Sequence, residues 1–447
     1  MRERGASLIR MDRGRRGFVV GLGAFGACAP ALGCGRAKAP AVTEAPSAAA
    51  GPGDDPFAEL AGFCDGVEPI AASEYERRIE RVRAKLAEAG QGALILEAGV
   101  DMRYFGGPRW GQSERPLMLV IPRDGEPLLV GPAFERGTLE ARRGPLAFAV
   151  RTWEEHESPY ALVFASLSDA RIKAEAIIAT GPATRSFVID GLRDAAPSRS
   201  FGPGQAAIEA CRRVKSPAEL ALLRRANEAT KRAIESAAAH VRAGMHEHEF
   251  ADHVRAAQLA AGLDNVWVLA LFGPNAAYPH GTPEGRELAP GDLILVDTGG
   301  FLHGYASDIT RTWAFPEPSA IDADRQRAWE VVRAAQTAAL DTIRPGVRCA
   351  EVDAAARAVI AAAGFDPDYG HFSHRLGHGI GMEVHEAPYL VRDAEHRLEV
   401  GNTMSDEPGL YLAGRYGIRL EDIVAVTAEG AEVFGPRADS LAAPFGG

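Results

Sequence analysis

The sequence predicts an α+β protein in which a smaller α/β domain precedes a larger second domain. Helical and strand-like segments alternate up to about residue 200, which is typical of an α/β domain. Beyond Ser216 the helices become longer, and the apolar runs between them indicate a mostly antiparallel sheet. A chain of 447 residues with 46% hydrophobic and 24% charged residues is long enough for two folded domains. The same composition argues against wholesale disorder and against a protein with many membrane spans.

The first element, residues 1–34, is predicted to be an export signal. A basic segment ends at Arg15-Arg16, and the uncharged run GFVVGLGAFGACAPALG follows it. That run is too short and too rich in small residues for a stable membrane span. The pattern resembles a twin-arginine signal, and the segment ending at Cys34 resembles a lipobox, which would add a lipid anchor. The segment ending at Cys28 is a second, weaker lipobox candidate. The alternatives are a disordered tail and a wrongly assigned start, with Met11 as the true first residue. We expect an exported protein of the periplasm or cell envelope.

A linker and the first domain follow the signal. Residues 35–64 are rich in Ala, Pro and Gly and predict a flexible linker, and the α/β domain is expected over residues 65–205. Within it a helix is predicted to begin near Ser73 and to end at Gly90. Short apolar runs separated by turn residues predict strands at 93–96, 117–121 and 128–130. Nothing in this stretch has the composition of a catalytic site.

The second domain is predicted over residues 206–447. Its first long helix begins at Ser216-Pro217-Ala218-Glu219, where a hydroxyl at the N-cap, Pro at the first position and Glu at the third form a strong start signal. Further helices are predicted at about 247–261, 322–343 and 350–363. Strands are predicted at about 266–272, 293–297 and 418–426.

The charge and cysteine content exclude several classes of function. The chain has 49 basic and 60 acidic residues, for a formal net charge of −11. An acidic surface repels phosphate groups, so nucleic acid is not an expected partner, and membrane contact is expected only through a lipid anchor. Five cysteines without a CxxC pair exclude a disulfide framework and a thiolate zinc site.

Two aspartates of the second domain are candidate metal ligands. Asp297 ends an apolar strand, and Asp308 lies eleven residues later on the predicted return strand, so the two carboxylates are expected to face each other across a hairpin. A carboxylate at the end of a buried strand is costly unless it is paired or bound to a metal. The alternative is an ordinary pair of strand-end aspartates near Arg311.

One histidine and two glutamates complete the candidate set. His378 lies between two glycines in HFSHRLGHGIG, and Glu407 lies in the turn DEPG. Glu421 comes two residues after Arg419 in a predicted strand, so the two side chains are expected on the same face. Each has a simpler interpretation, a structural histidine or a surface Arg419–Glu421 ion pair. Together, four carboxylates and one imidazole would repel one another unless two divalent ions balance them. Such an oxygen-rich set favours Mn²⁺ or Co²⁺ over a thiolate-type zinc site, with Fe²⁺ and Zn²⁺ as alternatives.

Six short segments carry these residues in order: PHGTP (279–283), DTGG (297–300), SDITRT (307–312), HRLGHGIGMEVHE (374–386), DEPGLY (406–411) and IRLED (418–422). Together they resemble the pita-bread metallopeptidases of family M24, which include prolidase and aminopeptidase P. The resemblance implies a C-terminal pita-bread domain preceded by a creatinase-like N-terminal domain. Methionine aminopeptidase, which lacks the N-terminal domain, is a poor match.

The resemblance also implies a role for each residue. Asp297 would chelate one metal, Asp308 and Glu421 would bridge both, and His378 and Glu407 would complete the other. Glu407 would also take a proton from a water that bridges the metals. The remaining residues would line the cleft: His280 and His385 would steady the substrate, and His374 and Arg419 would support the ligands or contact the substrate. The sequence departs from many members at Ser405-Asp406, where a third acid beside the site is expected to modify metal affinity.

The expected function is therefore that of a dinuclear-metal exopeptidase that cleaves the bond between an N-terminal residue and proline through a metal-bridging hydroxide. Its expected partners are short peptides that begin with Xaa-Pro, and the resemblance implies a homodimer. Dipeptides and longer peptides both stay open as substrates. The alternatives are a broader aminopeptidase, a creatinase-like amidinohydrolase and a non-catalytic binding module. The last two are disfavoured because all five ligand positions are intact.

Overall fold

The computed structural model describes residues 56–446 of the chain. The predicted export signal and the first part of the predicted linker lie outside the described residues. Within residues 56–446, none of the helices combines the length and apolar character that crossing a bilayer requires.

The first domain is built on a six-stranded mixed sheet. Its strands, in chain order, are β1 Gln91–Glu97, β2 Met118–Pro122, β3 Leu128–Pro132, β4 Ala149–Trp153, β5 Ile177–Thr180 and β6 Phe201–Pro203. The spatial order is β4-β3-β2-β1-β5-β6, and only the β1–β2 and β2–β3 pairs are antiparallel. The helices of this domain are α1 Ala72–Glu88, α2 Val100–Tyr104, α3 Arg136–Arg142, α4 Pro159–Asp169, α5 Ser186–Ala195 and α6 Gln205–Arg212. The predicted opening helix and its three strands are confirmed.

Four long helices organise the second domain: α7 Pro217–Ala238, α8 Glu247–Ala260, α9 Ala323–Thr342 and α10 Cys349–Ala362. The predicted capping box is present at the start of α7. The Glu219 amide donates to Ser216 Oγ at 3.3 Å, and the Ser216 amide donates to Glu219 Oε2 at 2.9 Å. These reciprocal bonds satisfy two amide groups that the helix leaves without internal partners.

The strands of the second domain pair antiparallel throughout. They are β7 Asp264–Phe272, β8 Leu293–Leu302, β9 Tyr305–Ala306, β10 Ile309–Ala314, β11 Gly377–Gly379, β12 Glu386–Leu390, β13 Thr403–Asp406, β14 Gly409–Leu412, β15 Tyr416–Arg419, β16 Asp422–Val426 and β17 Ala431–Val433. One sheet has the order β10-β8-β7 with β9 paired to β8, a second has the order β12-β11-β13-β16-β17, and β14 and β15 form a separate pair. Short 3-10 helices lie at Ala58–Leu60, Ala133–Glu135, Gly273–Ala277 and Pro318–Ala320. The α+β prediction is confirmed.

The prediction of one continuous strand over residues 418–426 is wrong. The chain leaves the β14–β15 pair after Arg419 and enters the five-stranded sheet at Asp422. Between them the amide of Glu421 donates to the carbonyl oxygen of Thr310 at 3.0 Å. This bond connects the interruption between β15 and β16 to β10. It directs Glu421 toward the two aspartates of the neighbouring sheet.

The structure also differs from the predicted linker over residues 57–64. Phe57, Leu60 and Cys64 are buried, and the ring of Phe57 packs edge-on against His240 with centroids 5.4 Å apart. The amide of Cys64 donates to the carbonyl oxygen of Ala261 at 3.2 Å. A segment that buries apolar side chains in this way is part of the folded domain, because their transfer from water favours the packed state.

Candidate metal centre

The five candidate ligands lie in strands of two sheets or directly beside them. The expectation that Asp297 ends its strand is wrong, because β8 continues to Leu302. Thr310 of β10 pairs with Asp297 of β8, so Asp308, two residues before Thr310, projects from the same face as Asp297. The predicted hairpin is therefore present. His378 lies in β11, Glu407 follows β13, and Glu421 precedes β16.

The ligand atoms of these residues fall into overlapping groups. One group contains Asp297, Asp308 and Glu421, and a second contains His378, Glu407 and Glu421. Within each group the ligand atoms all lie within 4.8 Å of one another. Asp308 and His378 also form a group with His385. Because Glu421 and Asp308 belong to more than one group, the arrangement suits two adjacent cations that share ligands.

Three buried carboxylate oxygens in this cluster have no hydrogen-bond partner among the described residues: Asp297 Oδ1, Asp308 Oδ1 and Glu421 Oε1. A buried polar atom without a partner is expensive, and native proteins avoid it outside functional sites. Divalent cations take carboxylate oxygens as ligands, so the unpartnered atoms and the donor set fit a metal centre.

Burial and mutual repulsion perturb the acids strongly. Burial raises the pKa of Asp308 well above its usual range, and the charges of Glu421 and Asp297 raise it further. The pKa of Glu421 is raised in the same way, by burial and then by Glu407 and Asp297. Burial alone would also raise the pKa of Glu407, but its hydrogen bond with His378 and the nearby positive groups lower that pKa to about 2. The groups around Asp308 and Glu421 therefore supply too little positive charge to offset the burial and mutual repulsion of these two carboxylates.

The backbone around His378 fixes its imidazole. Its amide donates to Ser405 Oγ at 2.9 Å, and its Nδ1 donates to the carbonyl oxygen of Gly379 at 3.2 Å. Nε2 faces Glu407 Oε1 at 3.2 Å and Asp308 Oδ2 at 3.6 Å, the position from which it would coordinate a metal ion held by the same carboxylates. A Cβ atom at Gly377 would lie 2.0 Å from the carbonyl oxygen of Ser405, so glycine is required for this close approach of strands.

A hydrogen-bond chain supports the ligands from one side. Arg419 Nη2 donates to Asp297 Oδ2, and Arg419 Nη1 donates to the Tyr411 hydroxyl at 2.8 Å. His374 donates from Nδ1 to the carbonyl oxygen of Arg375 at 2.7 Å and accepts at Nε2 from Tyr411 at 2.8 Å. Sequence reasoning missed Tyr411, although it lies in the DEPGLY segment. The pairing of Gly409 with Arg419 in the β14–β15 pair brings it to the site.

One expectation is corrected here. The alternative of a surface Arg419–Glu421 ion pair is wrong, because the two residues are only 3% and 2% exposed and Arg419 is directed to Asp297. The effect of Asp406 on metal affinity stays a prediction. Asp406 is 1% exposed and does not line the cavity. Burial raises its pKa well above the usual range, and the charges of Asp422 and Glu407 raise it further.

All nine predicted site residues line one cavity of about 900 Å³. The five candidate ligands form part of its wall, and His374 and Arg419 lie beside them. His280 and His385 are exposed on its surface. The His385 ring stands against that of His378 with centroids 4.0 Å apart, and burial and the charge of His378 lower the pKa of His385. The cavity is also lined by residues that sequence reasoning did not select, among them Trp267, Leu269, Tyr278, Arg375 and Val384.

A second cluster of charges lies beside this cavity. The carboxylate of Glu386, directly after His385, receives hydrogen bonds from Lys215 Nζ at 2.6 Å and from Arg212. Arg212 also bonds to Asp101 Oδ1 and Glu383 Oε2, each at 2.7 Å. We call these five residues, of which all but Glu383 are buried, the buried ion cluster. It connects the first domain to the segment that carries His385, and no local sequence pattern predicts it.

The sequence and the structure match known proteins across both domains. The profile of metallopeptidase family M24 matches residues 221–428, and that of the creatinase/prolidase N-terminal domain matches residues 78–214. A protein named probable dipeptidase PepE from Mycobacterium bovis is 37% identical over 369 residues, which is 82% of this chain and 96% of the relative.

Solved structures agree with these matches. The crystal structure of dipeptidase PepE from Mycobacterium ulcerans is similar with a TM-score of 0.76 and 36% identity, covering 83% of this chain and 98% of the other. Xaa-Pro dipeptidase from Bacillus anthracis is similar with a TM-score of 0.70 and 26% identity, covering 80% of this chain and 97% of the other.

Proposed function

The chain belongs to metallopeptidase family M24, and we propose that it is a two-metal exopeptidase that cleaves the bond between an N-terminal residue and proline. The observation that carries this proposal is the cluster of four carboxylates and one imidazole on the wall of a single cavity. The names of the similar proteins support peptide substrates, and that of the Bacillus anthracis enzyme supports the preference for proline.

We propose that Asp297, Asp308, His378, Glu407 and Glu421 hold two divalent ions, with Mn²⁺ favoured by the oxygen-rich donors and Co²⁺, Fe²⁺ or Zn²⁺ as alternatives. When bound, the ions would polarise the scissile carbonyl and make a water molecule acidic near neutral pH. The unpartnered oxygens of Asp297, Asp308 and Glu421 support this assignment, because they are the atoms that cations would satisfy.

The protein's own groups would then move the proton and orient the substrate. Glu407 is a carboxylate near neutral pH because its pKa is about 2, so it is able to accept the proton of the attacking water. His280 and His385 would contact the carbonyl oxygen as negative charge develops on it. Arg419 would hold Asp297 in place through its hydrogen bond, and Tyr411 would hold Arg419.

The test is hydrolysis of Ala-Pro, Ala-Pro-Ala and Ala-Ala-Ala with Mn²⁺, Co²⁺, Zn²⁺ or EDTA. The proposal expects metal-dependent release of alanine from the two peptides that contain proline and little cleavage of Ala-Ala-Ala. Equal cleavage of all three peptides would refute the preference for proline. Activity that EDTA does not reduce would refute the metal mechanism.

Matched histidine variants connect this activity to the site. His378→Ala is expected to abolish hydrolysis while the circular dichroism spectrum stays that of the wild type. His371→Ala is the control, since His371 does not line the cavity, and it is expected to keep its activity. Full activity in the His378 variant would refute the assignment of the ligands.

We also propose that residues 1–34 direct export to the periplasm or cell envelope, with Cys34 as the site of a lipid anchor. The support is the Arg15-Arg16 pair before an uncharged run that ends at Cys34. Replacing both arginines with lysine is expected to retain the protein in the cytoplasm, which cell fractionation measures. The family resemblance further supports a homodimer, for which light scattering should give twice the mass of one chain.

A further inference from the structure

One guanidinium of the first domain holds the segment that carries His385 on both sides of that histidine. Arg212, the last residue of α6, donates from Nη2 to Glu383 Oε2 at 2.7 Å and to Glu386 Oε2. These two glutamates lie two residues before His385 and one residue after it. Nη1 of the same guanidinium donates to Oδ1 of Asp101, in α2, at 2.7 Å. Charge-assisted hydrogen bonds fix the distance and direction between their partners, so the buried ion cluster restrains this segment against the first domain.

The side chain of His385 has little support of its own. Its imidazole is exposed, and among residues 56–446 it has no hydrogen-bond partner; it contacts the ring of His378 with centroids 4.0 Å apart. His385 lines the cavity of the metal centre and also a second cavity of about 320 Å³, which Arg212, Glu383 and Glu386 line as well. Because open space adjoins the ring in both cavities, packing alone does not hold it. Its place depends on how the backbone on either side of it is held.

We propose that Arg212 is a positioning residue that holds His385 beside His378, so that the first domain takes part in the reaction through this contact. This inference rests on the proposed function, in which His385 contacts the carbonyl oxygen of the substrate. A group that stabilises charge on that oxygen must lie within hydrogen-bond distance of it, and a displacement of about 1 Å is able to cost about 100-fold in rate. The hydrogen bonds of Arg212 reach none of the candidate ligands, so its effect passes through His385.

The test is a double-mutant cycle between Arg212 and His385. Arg212→Lys keeps the positive charge but loses the two amino groups that bridge Asp101 to the glutamates. With Mn²⁺ and Ala-Pro, it is expected to lower kcat by about 10- to 100-fold and to change KM by less than about 3-fold. In the His385→Ala background, which is itself impaired, the same substitution should change kcat by less than about 2-fold, because the ring that it displaces is absent. An equal loss in both backgrounds would overturn the inference.

A matched control is available in Arg78, a second buried arginine that joins the two domains. Its Nη2 donates to the Tyr305 hydroxyl at 2.7 Å and lies 3.3 Å from Glu219 Oε1, and none of these three residues lines either cavity. Arg78→Lys is expected to lower the urea midpoint of unfolding and to keep kcat within about 2-fold of the wild type. A loss of kcat as large as that in Arg212→Lys would overturn the inference, because any damage between the domains would then have the same effect.

A second variant keeps the test independent of the folding of Arg212→Lys. Glu383→Gln weakens one hydrogen bond to Arg212 at a side chain that is 46% exposed, so the fold is expected to tolerate it. It should lower kcat by about 3- to 10-fold, and by less than about 2-fold in the His385→Ala background. Unchanged kcat in Glu383→Gln would overturn the inference.

Hydrogen exchange separates this inference from the proposed function, because it needs neither metal nor substrate. In the metal-free protein, the amides of residues 382–387 are expected to exchange faster in Arg212→Lys or Glu383→Gln than in the wild type, and at the wild-type rate in Arg78→Lys. If the enzyme prefers peptides without proline, the preference for proline fails and the cycle is measured on Ala-Ala. If His385→Ala keeps full activity or no peptide is cleaved, the proposed role of His385 fails, and unchanged exchange of residues 382–387 would overturn the positioning by Arg212 as well.

Discussion

Replacing Glu421 with glutamine should stabilise the metal-free protein while it impairs metal binding. Glu421 is buried among Asp297, Asp308 and Glu407, and its unpartnered Oε1 lies in the cluster. Without cations, this carboxyl must either remain charged beside its neighbours or hold a proton at a pH where a free glutamate would lose it. Both conditions oppose folding. Glutamine removes the charge and keeps an oxygen that can accept the hydrogen bond that Thr310 Oγ1 donates at 2.7 Å.

The size of the effect follows from the distances. Two unit charges 4.8 Å apart repel by about 3.5 kcal/mol at an effective dielectric constant of about 20. Protonation of a carboxyl whose pKa is raised relieves part of this repulsion, so the gain is about 3 kcal/mol, which corresponds to a rise in Tm of roughly 5 °C. Because the pKa of Glu421 is raised in the folded protein, its penalty is absent at pH values below the pKa of an unfolded glutamate and grows as the pH rises. The stability gap between variant and wild type should thus widen from pH 5.5 to pH 8.

The assay is thermal unfolding of EDTA-treated wild type and Glu421→Gln, each repeated with added Mn²⁺. Manganese should raise the Tm of the wild type substantially and that of the variant much less. Glu330→Gln is the control, because Glu330 is exposed on α9, and it should change stability by less than about 0.5 kcal/mol. A metal-free Glu421→Gln protein no more stable than the wild type would refute the reasoning.

Three further changes test the surroundings of the site. Lys215→Met removes a cation 2.6 Å from buried Glu386 and should cost about 3 kcal/mol in urea unfolding; an unchanged midpoint would contradict this. Arg419→Met frees Asp297 and should weaken Mn²⁺ affinity by roughly 10-fold in calorimetric titration, and unchanged affinity would exclude that supporting role. Because the pKa of Asp308 is raised, Mn²⁺ binding should release more protons at pH 6 than at pH 8, measured by calorimetry in two buffers. Release that does not depend on pH would count against protonated acids in the metal-free site.

The five candidate ligands could be selected from the sequence because local pattern and chemistry disagree at their positions. Asp297 follows the apolar run 293–296, and His378 is flanked by glycines where neighbouring strands must approach closely. Such conflicts with local rules are expected at functional positions. The selection of His280, His374 and His385 rests on the family resemblance. The sequence motifs also preserve the order and spacing of these residues, and the structure brings all nine to one cavity.

What the sequence did not predict depends on contacts between distant segments. The break between Arg419 and Asp422 lies in an apolar run that satisfies the pattern of one strand, and only the pairing with Thr310 shows that the chain changes sheets. The buried ion cluster joins Lys215 to Glu386 across 171 positions, so no local spacing reveals it. The burial of Phe57, Leu60 and Cys64 likewise depends on α8, which lies far along the chain.

The measurement that tests the central claim most directly is a titration of metal-free protein with Mn²⁺, in which bound metal and Ala-Pro hydrolysis are followed together. The account predicts that binding saturates at about two ions per chain and that hydrolysis appears only as these sites fill. His378→Ala should lower the number of bound ions and abolish hydrolysis. Full hydrolysis by the metal-free protein, or wild-type binding and activity in His378→Ala, would contradict the account.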